Sequence, residues 1–354
     1  MKKILFILFI MLNVSLTAQV VFVPLSHPIY NYLERLEVKG IVKDLVISTK
    51  PISRKYVGEI LRGIDKDKLT SVEFNEYEKY TSEFSETHNE KGHIFKYNYK
   101  YAVMYFDPIF QFDYDINKSN DDNEDENGKR LKGGAKVYGY FADKIGYYFE
   151  GANNYEKNNV RELKNWDNQE QGIGELDQGK YYSQVTAYAS LSTKYIDFIF
   201  GRFSNYWGDG ETGTLPLSNK APSYNQFMIK ADYFDKIKLT YFHASLFSDE
   251  WDSSRVYFIR WNAGADSFPR RFYKNKYLAA HRLEIIAFDN FSIAFNELAY
   301  YGERDFDWSY LNPIMFYWAA KNYTKDTDNL QIGMDCKWRP LNKVKLYGGF
   351  LIDE

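Results

Sequence analysis

From about His93 to its last residue the chain alternates apolar and polar side chains with a period of two, in segments of about ten residues. Val185, Ala187, Ala189 and Leu191 interleave with Gln184, Thr186, Tyr188 and Ser190. Leu330, Ile332, Met334, Cys336 and Trp338 interleave with Gln331, Gly333, Asp335, Lys337 and Arg339. Between Leu278 and Phe288, Arg282 and Glu284 fall on one face and Leu283, Ile285 and Ala287 on the other. Successive side chains of a strand point to opposite faces, so this pattern commits most of the chain to a sheet with one apolar and one wet surface. Transmembrane β-strands have this pattern, and so does a soluble antiparallel sandwich.

The connections separate the two. Strands are expected near 94–116 (with Pro108 the place for a break), 131–141, 145–156, 181–192, 195–203, 224–232, 236–247, 276–287, 291–300, 327–338 and 343–354. Long connections at 117–130, 157–180, 204–223, 248–275 and 301–326 alternate strictly with short turns around Asp143, Thr193, Phe234, Asp289 and Leu341. Structureless loops longer than about 12–15 residues are uncommon in compact domains. Short periplasmic turns and long outer loops are how a membrane barrel is connected. The fold class is therefore mainly β, an antiparallel transmembrane β-barrel over 93–354. That is about 10–11 strands, and the eleven segments make an odd total. Bacterial single-chain barrels have even strand numbers, so the expectation is a barrel truncated at its C-terminus.

Composition supports a surface that is greasy on one side and wet on the other. Tyr (32), Phe (27) and Trp (7) make 19% of the chain, and aromatic girdles line both membrane interfaces of such barrels. Mean hydropathy is −0.52, and past the N-terminus no apolar run has the ~20 residues of a spanning helix. The single cysteine, Cys336, excludes an internal disulfide. A net charge of −3 gives no reason to expect nucleic acid as a partner.

Ahead of the strands the period changes. MKKILFILFIMLNVSLTAQ (1–19) has the charged, apolar, small-residue order of a secretory signal, with Ala18 as its last residue. Residues 20–92 read as a small periplasmic helical domain. Ile29, Tyr32, Leu33 and Leu36 follow helical spacing, with Ser26 as N-cap and Gly40 as terminator. Ser53 opens a second helix, and Thr70-Ser71-Val72-Glu73 is a capping box for a third.

No catalytic arrangement stands out. His27, His88, His93, His243 and His281 lack metal-site spacing, and neither HExxH nor GxSxG occurs. Strands could still gather Glu150, Asp197, Glu284 or Glu297 for two-carboxylate hydrolysis, although charges alternating with apolar residues are also what a wet lumen needs. The acidic run DDNEDE at 121–126 has oxygens for calcium but no EF-hand spacing, and reads as a solvated loop. No cofactor, metal or catalytic residue is expected.

Three stretches resemble the Wzi-type capsule-assembly family of outer-membrane proteins. They are VPLSHPIYNYLERLEVKGIV (23–42) with KPISRKYVGEIL (50–61), GRFSNYWGDGETGTLPLSNKAPS (201–223) and FNELAYYGERDFDWSYLNPIMFYW (295–318). The resemblance implies a barrel of about eighteen strands over a periplasmic helical bundle. It also implies lectin-like, non-enzymatic attachment of exported capsular or exopolysaccharide. Asp209 departs from the pattern, standing where the family often has proline.

On that expectation Tyr206 and Trp207 stack on sugar, while Asp209, Glu211 and Asn219 hydrogen-bond to it. Trp251, Trp261, Arg270 and Arg271 extend the surface, since arginine forks suit acidic sugars. A purely structural role for 201–223 stays open, with Trp207 in the interfacial girdle or plugging the lumen. A porin or solute channel is the alternative function, because Arg282, Glu284, Asp335 and Lys337 would face a watery lumen, and an enzyme acting on envelope glycans is the third. The expected partners are polysaccharide and outer-membrane lipid, and the expected state is a monomer.

Overall fold

The computed structural model describes residues 21–43, 45–84, 92–117, 126–142, 144–158, 174–176, 179–211, 213–218, 220–233, 236–260, 267–323 and 327–354. The signal segment, most of the acidic run, His88, Asn219 and Trp261 lie outside them.

Three helices come first, α1 (Ile29–Val38), α2 (Arg54–Arg62) and α3 (Ser71–Glu83). Helix α1 buries Ile29, Tyr32, Leu33 and Leu36, the stripe an amphipathic helix turns to its core. It ends at Gly40, whose φ of +74° is the left-handed conformation glycine adopts at least cost. Its start corrects the expectation. Pro28, not Ser26, holds the cap position, and the Ile29 N–H donates to His27 Nδ1 at 3.1 Å. Helix α2 begins as expected, the Tyr56 N–H donating to Ser53 Oγ at 3.1 Å. Helix α3 has its full capping box between Thr70 and Glu73.

That box carries a pH dependence. Glu73 is buried, which pushes its carboxyl up. The 2.5 Å bond from Lys39 Nζ and the bonds from the Thr70 N–H and hydroxyl outweigh burial and hold it at about 2. A carboxyl depressed on folding stabilises fully above its unfolded value and loses that contribution as pH falls through the folded one. The helical domain should therefore weaken between pH 4.5 and 2. Glu73→Gln should flatten this dependence, as read from hydrogen exchange of α3 across that range.

Seventeen strands are described. The first half contains β1 (Thr49–Lys50), β2 (Phe95–Tyr99), β3 (Ala102–Asn117), β4 (Glu126–Phe141), β5 (Ile145–Asn158), β6 (Gly174–Leu176), β7 (Gly179–Ser192), β8 (Ile196–Phe203) and β9 (Tyr206–Trp207). The rest are β10 (Tyr224–Tyr233), β11 (Ile237–Leu246), β12 (Trp251–Arg260), β13 (Ser267–Tyr273), β14 (Lys276–Phe288), β15 (Phe291–Gly302), β16 (Asn329–Leu341) and β17 (Val344–Asp353). One antiparallel sheet runs β17-β16-β15-β14-β11-β10-β8-β7-β5-β4-β3-β2, with β6 added on β7. Its path holds twelve strands rather than 10–11. The difference arises at the first one, which breaks at Lys100 (φ +43°) and not at Pro108. Pro108 lies within β3 opposite Ala135. Strand β2 reaches only to Phe106, so Pro108 falls where one edge of β3 is unpaired and a missing N–H is tolerated.

The two faces of the sheet differ as the alternation requires. The outer face leaves Phe110, Phe112, Phe149, Phe200, Phe288 and Ile352 exposed. The inner face meets the helical domain. Tyr105, Tyr138, Tyr148 and Tyr188 form a row of rings there, with centroids 5.1, 6.1 and 5.4 Å apart. Phe22 packs on Tyr188 and Phe203, and its N–H donates to the Tyr188 hydroxyl at 2.7 Å. The Arg54 guanidinium lies 5.0 Å from the Tyr138 ring. Near the short turns, the Lys343 N–H donates to the Val38 carbonyl at 2.6 Å. The helices thus cover the inner face from the short-turn end.

Candidate functional site

The glycine-rich connection 201–223 folds against the inner face. Strand β9 pairs with β1 in the helical domain, Tyr206 opposite Lys50 and Trp207 opposite Thr49. The Gly208 N–H reaches the Ser48 carbonyl at 2.7 Å, with Gly208 at φ +124° where glycine is favoured. Trp207 is 0% exposed and meets Phe242 edge-on at 5.4 Å. Tyr206 is buried, its hydroxyl bonded to the Gly210 carbonyl. Asp209 is half-buried, its carboxylate 3.3 Å from Lys345 Nζ. The structure thus places Trp207, Tyr206 and Asp209 in a segment that clamps the helical domain to the sheet, with the Trp207 ring enclosed in packing rather than open. Glu211 stays exposed.

The four expected lumen charges share the inner face but do not point into water. Arg282 is 1% exposed and grips Asp335 with both terminal nitrogens, at 2.5 and 2.8 Å. It also donates to Asn296 at 2.7 Å and to Thr49 Oγ1 at 2.8 Å. Glu284 accepts from the Ser48 and Thr49 hydroxyls. Lys337 donates to Glu37 Oε1 at 2.8 Å and to the Leu45 carbonyl at 2.7 Å. Each charge meets the helical domain or an ion pair, because a buried charge without such partners is strongly unfavourable. Of the four scattered carboxylates only Asp197 and Glu284 line a common cleft, and the four do not share one face. Glu297 is on the outer face, opposite in parity to Glu284 and ion-paired with His281 at 2.7 Å. Among the described residues no group of three His, Cys, Asp or Glu could hold a metal.

A polar cleft of about 550 Å³ remains between the domain and the sheet at the short-turn end, lined among others by Lys55, Tyr56, Asp197, Lys230 and Lys238. At the opposite end the 248–275 connection is not structureless. Strands β12 and β13 form a separate hairpin, with a register shift between Asp252 and Val256 that hid its alternation. Trp251, 47% exposed, stacks on Tyr273 with centroids 4.4 Å apart and planes 22° apart. The Arg271 guanidinium sits 5.1 Å from the Trp251 ring, and Phe247 meets Tyr273 at 4.6 Å. Arg270 is exposed. Lys274 bridges Glu250 and Glu303 at 3.1 and 2.7 Å, fixing the base of the hairpin. Trp251 and Arg271 are thus brought together in the open, whereas Arg270, beside Tyr257 in the register, falls on the other face of the hairpin. Tyr273 and Phe247, missed from the sequence, complete the platform; their place at the two ends of one connection was the available signal.

The sequence profile described as capsule assembly protein Wzi matches residues 83–354. The chain belongs to the Wzi capsule-assembly family. Among solved structures, this Wzi-family chain is similar to Wzi of Escherichia coli, described as an outer-membrane protein involved in group 1 capsule assembly and a carbohydrate-binding β-barrel. The identity is 13% and the TM-score 0.50, over 93% of this chain and 63% of that one. The likeness establishes the fold, and the chain spans 63% of the length of the protein it matches. A search of curated proteins finds no match. Membership places the Wzi-family chain in the outer membrane as a barrel.

Proposed function

We propose that this protein holds capsular or exopolysaccharide at the cell surface without altering it chemically, as a monomer embedded in outer-membrane lipid. The helical domain lies in the periplasm and the β12–β13 hairpin is extracellular. What carries the reading is the platform of Trp251 on Tyr273 with Arg271 above it; the exposed Arg270 would serve from the other face of the same hairpin. Ring faces suit the apolar side of a pyranose, and exposed guanidinium forks suit sugar carboxylates. Family membership supplies the class of ligand. The porin reading loses its motive, because the charges that suggested it are engaged by the helical domain.

The test is binding of polysaccharide extracted from the producing cells to the purified protein in detergent. A hydrogen bond to a charged group is worth about 1.5–3 kcal/mol, and about 1.4 kcal/mol is tenfold in affinity. Arg271→Ala should therefore weaken binding about tenfold, and Trp251→Ala combined with Arg271→Ala should weaken it further. Unchanged affinity in the double variant, with an unchanged melting temperature, would remove the hairpin from the proposal. Release of shortened oligosaccharide would remove the non-enzymatic reading.

A further inference from the structure

The outer face of the sheet is not apolar throughout. Toward the long-connection end of β11, β14 and β15 it carries Tyr241, His243, His281, Glu297 and Tyr301. Polar groups facing hydrocarbon need partners, since each unsatisfied one costs several kcal/mol. The connection between β15 and β16 supplies them by folding back over this face. The Tyr241 hydroxyl donates to the Tyr310 carbonyl at 3.0 Å. The Tyr317 N–H donates to Glu297 Oε2 at 3.1 Å, which His281 also meets at 2.7 Å. Tyr301 bridges His243, 2.6 Å away, to the Asp307 N–H at 3.3 Å.

Packing seats the same segment. Tyr310, Tyr317 and Ala320 are fully buried against Ala279, Ala299 and Leu330, the strand alanines leaving room for the two rings. Arg304 locks its start to Asp328 at 2.6 and 2.7 Å. The later part of the third stretch of family resemblance, 303–318, therefore covers a polar patch rather than forming a free loop.

Its upper surface is the opposite in character. Trp308 is 81% exposed and Ile314 80%, with Phe316 and Trp318 also exposed. The run WSYLNPIMFYW at 308–318 has no charged residue, in a chain that is 26% charged. Single exposed apolar residues need no explanation, but a contiguous group of them marks a contact surface. The hairpin offers arginines to a sugar, whereas the exposed groups of this run are mostly apolar or aromatic and carry no charge. Leu283 on β14 and Phe295 on β15, each two residues along from His281 and Glu297, are bare on the same face. Trp338 on β16 is bare farther toward the short turns, so the run lies on a surface that continues as the lipid-facing side. Tryptophan also favours the depth where acyl chains meet headgroups.

We propose that residues 303–323 form a lipid-contacting collar: the segment shields the polar patch of the outer face and presents Trp308, Ile314, Phe316 and Trp318 to acyl chains of the outer leaflet. The inference rests on the family's membrane placement, and one experiment separates the two. Protein reconstituted in phosphatidylcholine with brominated or plain acyl chains is compared by tryptophan fluorescence, as wild type, as the double variant Trp308→Phe with Trp318→Phe, and as Trp338→Phe. All three substitutions are at exposed rings. The expected result is that bromination quenches a smaller fraction of the fluorescence in both variants than in the wild type. A larger quenched fraction in the double variant, with a smaller one in Trp338→Phe, would overturn the collar and leave the barrel in the membrane. No loss of quenching in either would overturn both.

Discussion

Replacing Arg282 with alanine is expected to destabilise the protein by about 3–5 kcal/mol, the usual cost of breaking a buried ion pair by deleting one partner, and to free the helical domain from the sheet. The guanidinium joins two parts of the chain that are far apart in sequence. It binds Asp335 and Asn296 on the sheet and Thr49 in the domain, beside a Glu284 that itself holds Ser48 and Thr49. Without it, Asp335 and Glu284 remain on one buried surface with no cation between them, so repulsion adds to lost bonds. Arg282→Lys should recover only part, because one ammonium cannot reproduce a two-pronged grip on Asp335 together with bonds to Asn296 and Thr49. The helical domain has its own core of Val23, Ile29, Leu33, Leu36, Val57 and Leu61, so it should detach before it unfolds. Limited proteolysis should therefore cut faster between the helices and the first long strand, and planar-bilayer conductance should rise as the domain leaves the inner face. An Arg282→Ala protein that melts and resists protease like the wild type would show that Lys337 and strand pairing hold the domain without it.

Much of this arrangement was legible because it follows from period. Alternation fixed which residues share a face: Arg282, Glu284, Asp335 and Lys337 do lie together, and Ser53 and Thr70 do start helices. What alternation could not supply was the neighbour across that face. A charge facing water and a charge facing a docked helix read identically along the strand, so the lumen charges looked solvated. The connections were opaque for a different reason. The 201–223 run has no period, and its inward fold depends on pairing with Thr49 and Lys50, more than 150 residues earlier by the count of sequence positions. The β12–β13 hairpin was hidden by its register shift. On β11 the polar face changes along one strand: Lys238 and Thr240 are polar on the inner face, Tyr241 and His243 on the outer. That reversal, visible in KLTYFHA (238–244), is the trace of a segment folded over the outside.

The second large effect concerns the two tryptophans that the sequence placed in one role. Trp207→Ala should cost about 3–5 kcal/mol, the range for deleting a fully buried large aromatic. Its ring fills the space between Phe242 and Leu217 in the inner core, and its backbone carries the pairing to Thr49. Trp207→Phe should cost much less, because it keeps most of the ring and removes an indole N–H that has no hydrogen-bond partner among the described residues; an unpaired buried donor is itself unfavourable by about 1–3 kcal/mol. Trp251 behaves in the opposite way. Half exposed on a hairpin, it should leave the melting temperature nearly unchanged when truncated and lower polysaccharide affinity instead. Measuring melting and binding on both alanine variants separates a residue that holds the clamp from one that meets the ligand. Normal melting with lost binding in Trp207→Ala would reverse the assignment and return the 201–223 segment to the sugar. Lost stability with binding preserved in the folded fraction would leave the hairpin as the surface that faces it.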